Sequence, residues 1–149
     1  RDSDLPLRTP DEALTLASIV EKETAQPSEY GLIAGVFVNR LRMNMKLQTD
    51  PTVIYGIGPK FNGNLKRADL LRPTPYNTYV IRGLPPTPIA MPGRGALKGV
   101  ASPERTKALY FVSRNDGTHQ FSETLIEHNA AVTKFQIRAK PAPSPSAKR

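Results

Sequence analysis

The sequence predicts an α+β fold, with helices at both ends, an irregular proline-rich middle and a β-hairpin near the C-terminus. Three observations carry this expectation. Apolar residues recur at helical spacing before residue 45 and again after residue 122. Between these stretches prolines interrupt the chain, 15 in 149 residues, which leaves little room for long regular elements. Finally, "LYFVSRNDGTHQFSE" sets two β-rich runs around Asn115-Asp116-Gly117, a strong hairpin signal.

Residues 9–24 read as the first helix. Thr9 is placed to cap it, Pro10 suits the first helical position and Glu12 can complete a capping box. Ala13, Leu14, Leu16, Ala17, Ile19 and Val20 cover more than half the circumference, leaving Thr15, Ser18 and Lys22 as a polar strip. So wide an apolar arc predicts a largely buried helix. Residues 28–45 form the second helix, capped by Ser28, with Tyr30, Ile33, Phe37 and Leu41 on one face. "LQTDPTVIYGIG" then breaks the pattern, since Asp50 precedes a proline and is steered away from helix. "KRADLLR" is a candidate short helix, and "YNTYVI" (76–81) alternates like a strand. "GLPPTPIAMPG" must be a loop, and 94–101 a second short helix. After the hairpin a last helix runs from about Ser122 to Arg138. The folded domain is therefore expected over 1–138. Residues 139–149, basic and rich in Pro and Ser, bury too little apolar surface to order themselves and read as a disordered tail.

Composition narrows the classes of function. Lys and Arg number 21 against 13 Asp and Glu, a net charge of +8, which favours polyanionic partners such as nucleic acid, acidic lipid or an acidic glycan. The basic residues are scattered, aromatic content is only 7% and no nucleic-acid motif is legible, so nucleic acid is not the expected partner. The absence of Cys excludes disulfides and thiolate chemistry. His119 and His128 are not spaced as a metal pair, and neither a metal nor another cofactor is expected. No apolar run reaches the ~20 residues that a membrane-spanning helix needs.

The stretch "LASIVEKET" places Glu21 and Glu23 inside the apolar arc of the first helix. Their preceding turns differ. Ala17 and Ser18 stand behind Glu21, whereas bulky Ile19 and Val20 stand behind Glu23. Helical side chains lean toward the preceding turn, so the small pair leaves a hollow beside Glu21 that a substrate atom could occupy. A half-apolar recess favours the protonated carboxyl, the form a general acid needs. An ion pair with a neighbouring Lys or Arg is the structural alternative.

"LASIVEKET", "GVFVNRLRMNMKLQTDPTVIYGIG", "PYNTYVIRGLPPTPIAMPG" and "LYFVSRNDGTHQFSETLIEHNAAV" together resemble the MltG/YceG-like family of endolytic murein transglycosylases, from about Leu14 to Phe135. The resemblance implies cleavage of peptidoglycan strands between N-acetylmuramic acid and N-acetylglucosamine, leaving 1,6-anhydro ends. It maps the catalytic acid/base onto the first Glu of the motif, Glu21. One carboxyl suffices for this reaction because the C6 hydroxyl of the muramic residue is a tethered nucleophile. The family also implies an N-terminal membrane anchor and a LysM-like part. This chain begins at Arg1 without them, and so reads as the soluble part of an inner-membrane protein with its catalytic domain in the periplasm. Cell-wall synthases are the partners implied.

Further site candidates follow from residue chemistry. Gln48, Thr49 and Asp50 offer donors and acceptors suited to sugar hydroxyls and N-acetyl groups. Asp50 is the best candidate for a second carboxylate, or it holds a turn locally. Tyr76, Asn77 and Tyr79 combine flat apolar faces with polar tips, a combination that suits sugar rings, and Tyr76 and Asn77 are placed in the cleft. Ser18 borders the hollow, and Asn39 either bonds backbone or orients Glu21. His128 is expected to anchor a helix. The chain departs from the family pattern at Tyr30, where Arg is common, and at Gly99, where Ala is common. Two other functions fit less well: a muramidase-type hydrolase using Glu21 with Asp50 or Glu23, and a non-catalytic basic module that binds glycan.

Overall fold

The structure, a computed structural model, describes residues 5–137. Six α-helices and one β-hairpin are present among them: α1 Pro10–Glu23, α2 Tyr30–Arg42, α3 Asp50–Ile57, α4 Arg67–Leu71, α5 Arg94–Ala101, β1 Tyr110–Ser113, β2 His119–Ser122 and α6 Leu125–Val132. The fold class is α+β, as expected. The tail predicted at 139–149 lies outside the described residues.

Helix α1 starts where its capping sequence directs. The Thr9 side chain accepts the Glu12 N–H, and Glu12 reaches back to the Arg8 N–H. Leu16, Ile19 and Val20 have no exposed surface. Burial of such side chains contributes roughly 1.5–3 kcal/mol each. They pack with Ile33, Ala34 and Phe37 of α2 and with Ala96 and Val100 of α5, so the three helices enclose one core. The antiparallel hairpin pairs Tyr110 with Ser122 and Ser113 with His119. It meets the helical core through Phe111, whose ring stands edge-on to Phe37 at 5.7 Å.

Five expectations are corrected. Thr15 and Ser18 are buried rather than forming a polar strip, while Leu14 is exposed, because a proline-rich segment covers that side of α1. Ser28 caps nothing. Pro27–Glu29 forms a 3-10 turn and α2 starts only at Tyr30. Asp50-Pro51 begins a helix instead of preventing one, since proline in the first turn lacks only an N–H that would have no helical partner. The predicted strand at 76–81 is a set of turns. There the Asn77 carbonyl accepts from Val80 and Ile81, and its side chain accepts the Tyr79 N–H. Local side-chain bonding of this kind competes with a sheet ladder. Lastly, α6 is capped by Thr124, through a capping box with Glu127, and passes at Thr133 into a π-helical turn.

Candidate active site

Residues two apart on a helix point about 200° apart, and the two glutamates of α1 accordingly have different surroundings. Glu21 Oε1 accepts the Gly93 N–H at 2.9 Å, at the N-cap of α5. One turn earlier, Ser18 Oγ accepts the Ile89 N–H at 3.0 Å and donates to the Thr15 carbonyl at 2.6 Å. Ser18 and Glu21 thus fasten both ends of the 89–93 segment to α1. The hollow expected beside Glu21 does not exist, because Ala17 and Ser18 are fully covered. Ser18 is a loop anchor, not a substrate contact.

Glu23 faces the other way. Its Oε2 accepts a hydrogen bond from the Thr49 hydroxyl. It lines a cleft of about 920 Å³ together with Arg40, Gln48, Asp50, Tyr79 and His119, closed on one side by β1 and the preceding Leu109. Glu21 is not part of this lining. Four of the recognisable motifs contribute to the cleft: "IVEKET" through Glu23, "LQTDPT" through Gln48 and Asp50, "YNTY" through Tyr79, and "IEHN" through His128 and Asn129. "GLPPTPIAMPG" does not, and instead meets Ser18 and Glu21.

The 47–52 turn is fixed from below. Thr78, fully buried, accepts the Thr49 N–H at 2.9 Å, and its hydroxyl lies 2.9 Å from that of Thr52. Gln48 donates its N–H to the Thr78 carbonyl and has φ of 53°, a left-handed backbone that Gln seldom adopts. Asp50 opens α3, and its Oδ1 accepts the Tyr79 hydroxyl at 2.5 Å. Gln48, Asp50 and Tyr79 therefore line the cleft, and Tyr79, rather than Tyr76 or Asn77, is the member of "YNTY" that reaches it. Thr49 is buried, and its hydroxyl serves Glu23 instead of a sugar.

Three other candidates belong to the fold. Asn77 is buried and donates to the carbonyls of Asp69, Leu70 and Arg72, covering the end of α4. The Tyr76 ring lies against Tyr55 at 5.0 Å and its hydroxyl meets Thr87 Oγ1 at 2.7 Å, so this residue supports the wall beyond the cleft. Asn39 donates to the carbonyls of Thr106 and Ala108, tying the approach to β1 onto α2. It bonds backbone, the first of its two expected roles, and does not reach Glu21. The residues that sequence reasoning missed are Arg40, Arg67 and Thr78. A polar pair, Asn39-Arg40, directly after the apolar run 31–38 of α2 was the available signal for Arg40. His128 packs its ring on Tyr110 at 5.0 Å, in keeping with an anchoring role. No group of three or more His, Asp or Glu side chains among the described residues could hold a metal ion.

The model of the YceG-like family matches residues 1–134. The chain belongs to this family. It is 43% identical over 122 residues to a protein named endolytic murein transglycosylase from Bacillus subtilis, covering 82% of this chain and 34% of that one. A protein of the same name from Streptococcus pneumoniae is 35% identical over 132 residues, covering 85% of this chain and 24% of that one. The chain thus spans about a third and a quarter of the length of these relatives. A crystal structure of a YceG-like protein from Listeria monocytogenes superposes with a TM-score of 0.74 at 42% identity, over 80% of this chain and 38% of that one.

Tyr30 and Gly99 meet in space. A Cβ on Gly99 would stand 3.0 Å from the Tyr30 carbonyl, and one on Gly95 would stand 2.6 Å from the Tyr30 ring. Gly99 and its neighbour on α5 therefore let α2 begin close against that helix. The expectation that Gly99 merely weakens a short helix omits this contact. No helix among the described residues is long and apolar enough to cross a membrane.

Proposed function

We propose that this chain is the catalytic part of a lytic transglycosylase acting on peptidoglycan strands, with Glu23 as the single general acid and base. One observation carries the assignment: Glu23 is the motif glutamate that lines the cleft where four of the motifs meet, whereas Glu21, which accepts the Gly93 N–H, lies outside that lining. The names of the relatives supply the reaction class.

In this mechanism the protonated Glu23 gives its proton to the glycosidic oxygen as the bond to C1 breaks. The carboxylate so formed then takes the proton of the muramic C6 hydroxyl as that oxygen closes on C1, giving the 1,6-anhydro end. Attack by a tethered hydroxyl has the advantage of an intramolecular reaction and needs no water-activating base. Thr49 fixes the orientation of Glu23 through its hydroxyl. Asp50, held by Tyr79, supplies negative charge in the cleft, suited to the positive charge that develops at C1. The family resemblance is what supports a site of action at the outer face of the cytoplasmic membrane, where nascent strands are exposed.

Purified peptidoglycan incubated with the chain and analysed by mass spectrometry tests the reading. Wild type and Glu21→Gln are expected to release muropeptides one water lighter than hydrolysis products, since glutamine still offers an oxygen to Gly93. Glu23→Gln is expected to release none. A folded Glu23→Gln protein that keeps most activity would overturn the assignment. Asp50 in the same cleft as Glu23 favours a second reading, hydrolysis by two carboxyl groups, which gives reducing ends instead.

A further inference from the structure

Two guanidinium groups line the cleft without a carboxylate partner among the described residues. Arg40, half-buried on α2, donates from Nε to the Leu109 carbonyl at 2.6 Å and from Nη1 to the Lys46 carbonyl at 2.7 Å. Gln48 Oε1 lies 3.5 Å from the same Nη1, and the Tyr110 ring centroid is 5.0 Å from Cζ. All four partners are neutral. Arg67, in the first turn of α4, lines the same cleft, and its side chain makes no hydrogen bond or ion pair with a described residue.

A half-buried cation surrounded only by dipoles is under-compensated. Desolvation draws the pKa of Arg40 below the ordinary arginine value, opposed only in part by Tyr110 and Tyr79. Nε and Nη1 are engaged with backbone carbonyls, which fixes the guanidinium plane and leaves Nη2 to donate a charge-assisted hydrogen bond, for which a carboxylate is the best match. Two such groups from different elements make the cleft receptive to an anion, although its own carboxylates, Glu23 and Asp50, stand in the same lining. Peptidoglycan carries carboxylates that neutral amino-sugar polymers lack. They lie on the peptide attached to the muramic lactyl group or, where the peptide has been removed, on the lactyl group itself.

We propose that Arg40 and Arg67 bind a carboxylate of the substrate strand, so that the cleft selects carboxylate-bearing glycan over neutral amino-sugar oligomers. This rests on the glycan-cleaving reading above. Arg67 meets the anion first, at the exposed rim, and Arg40 fixes it deeper, where water competes less.

Equilibrium binding to three probes tests the proposal, in a Glu23→Gln background to suppress turnover: chitohexaose, glycan strands stripped of peptide by an amidase, and strands with peptides attached. Arg67→Met loses no hydrogen bond or ion pair to a described residue. It is expected to weaken binding of a carboxylate-bearing strand about tenfold, the loss of a charge-assisted hydrogen bond, and to leave chitohexaose unchanged. Arg40→Lys, which keeps the charge but not the fork, is expected to act in the same direction. Lys60→Met, an exposed cation outside the cleft, serves as the control for general charge. A loss confined to peptide-bearing strands assigns the carboxylate to the peptide, and one confined to stripped strands assigns it to the lactyl group. Equal weakening of chitohexaose, or no change with any strand, would overturn the proposal while leaving the glycan reading standing. Absence of binding to all three probes before either arginine is changed would overturn both.

Discussion

Glu29 holds His119 at two points: its Oε2 accepts the His119 backbone N–H at 2.8 Å, and its Oε1 lies 2.7 Å from Nδ1. The same Oε1 accepts the Thr24 hydroxyl at 3.2 Å. One carboxylate therefore joins the start of β2, where His119 lines the cleft, to the residue directly after Glu23. Both side chains are 11% exposed, so little water competes for these bonds. Removing one partner of such a pair leaves the other buried and unsatisfied. Glu29→Ala is therefore expected to cost about 3 kcal/mol in urea denaturation. Strand cleavage is expected to fall as well, under conditions where the variant is still folded, because that part of the cleft loses its tie to α1. A stability change below about 1 kcal/mol would show that the pair is not a structural link.

Asn77 yields a prediction of the opposite kind. Its amide satisfies three carbonyls around the end of α4 and accepts one N–H while almost wholly buried. Asn77→Ala is expected to destabilise by about 2–3 kcal/mol, since several buried backbone groups lose a partner together. Glycan binding per folded molecule is expected to stay within twofold of wild type. A folded variant with strongly weakened binding would return Asn77 to the substrate.

These two residues also mark where sequence reading succeeds and where it stops. Signals that act over a few residues were legible: Thr9-Pro10 opens α1, 94–101 is helical, and Asn115 to Gly117 turn the hairpin with φ of 70° and 91° at its ends. Which of Glu21 and Glu23 lines the cleft was not legible from periodicity, because both lie within the same apolar arc. Gly93, 72 residues away, separates them by taking Glu21, and Thr49, 26 residues away, by meeting Glu23. Ser18 looked solvent-facing for the same reason, since its partner Ile89 arrives from a loop whose course no periodicity reports. Asn77 and Tyr76 carry sugar-binding chemistry in a motif of sugar-cleaving relatives. Only tertiary packing assigns them to the fold and leaves Tyr79 for the cleft.

The hairpin turn gives a pH-dependent expectation. Asp116 Oδ1 accepts the Thr118 hydroxyl at 2.6 Å and its N–H at 2.9 Å. These bonds, helped by the nearby Arg114 charge, hold the carboxyl below the ordinary aspartate value. The folded state then binds the proton less readily than the unfolded chain does. Its stabilisation is complete above the unfolded value of about 3.9 and is lost as pH falls through the lower native value. The stability difference between wild type and Asp116→Ala is therefore expected to be constant from about pH 5 upward and to narrow below about pH 4. Urea melts at pH 7, 5 and 3 measure it, and a difference unchanged at pH 3 would remove the carboxylate from the account.

The contact between Tyr30 and α5 predicts a change of sign. Alanine normally favours a helix over glycine by up to about 1 kcal/mol, so Gly95→Ala would stabilise α5 if nothing stood in the way. Here the added Cβ would meet Tyr30 Cε2 at 2.6 Å and Cδ2 at 2.8 Å. The ring must shift out of its place beside the core, and overpacking of this kind costs about 1–3 kcal/mol. Gly95→Ala is therefore expected to destabilise the wild-type chain. In a Tyr30→Ala background the obstruction is gone and the same substitution is expected to be neutral or stabilising. A double-mutant cycle by thermal or urea denaturation measures the coupling, expected at about 1–3 kcal/mol between residues in contact. Additive effects would mean that the ring yields at no cost, and that Tyr30 and α5 are not matched to each other.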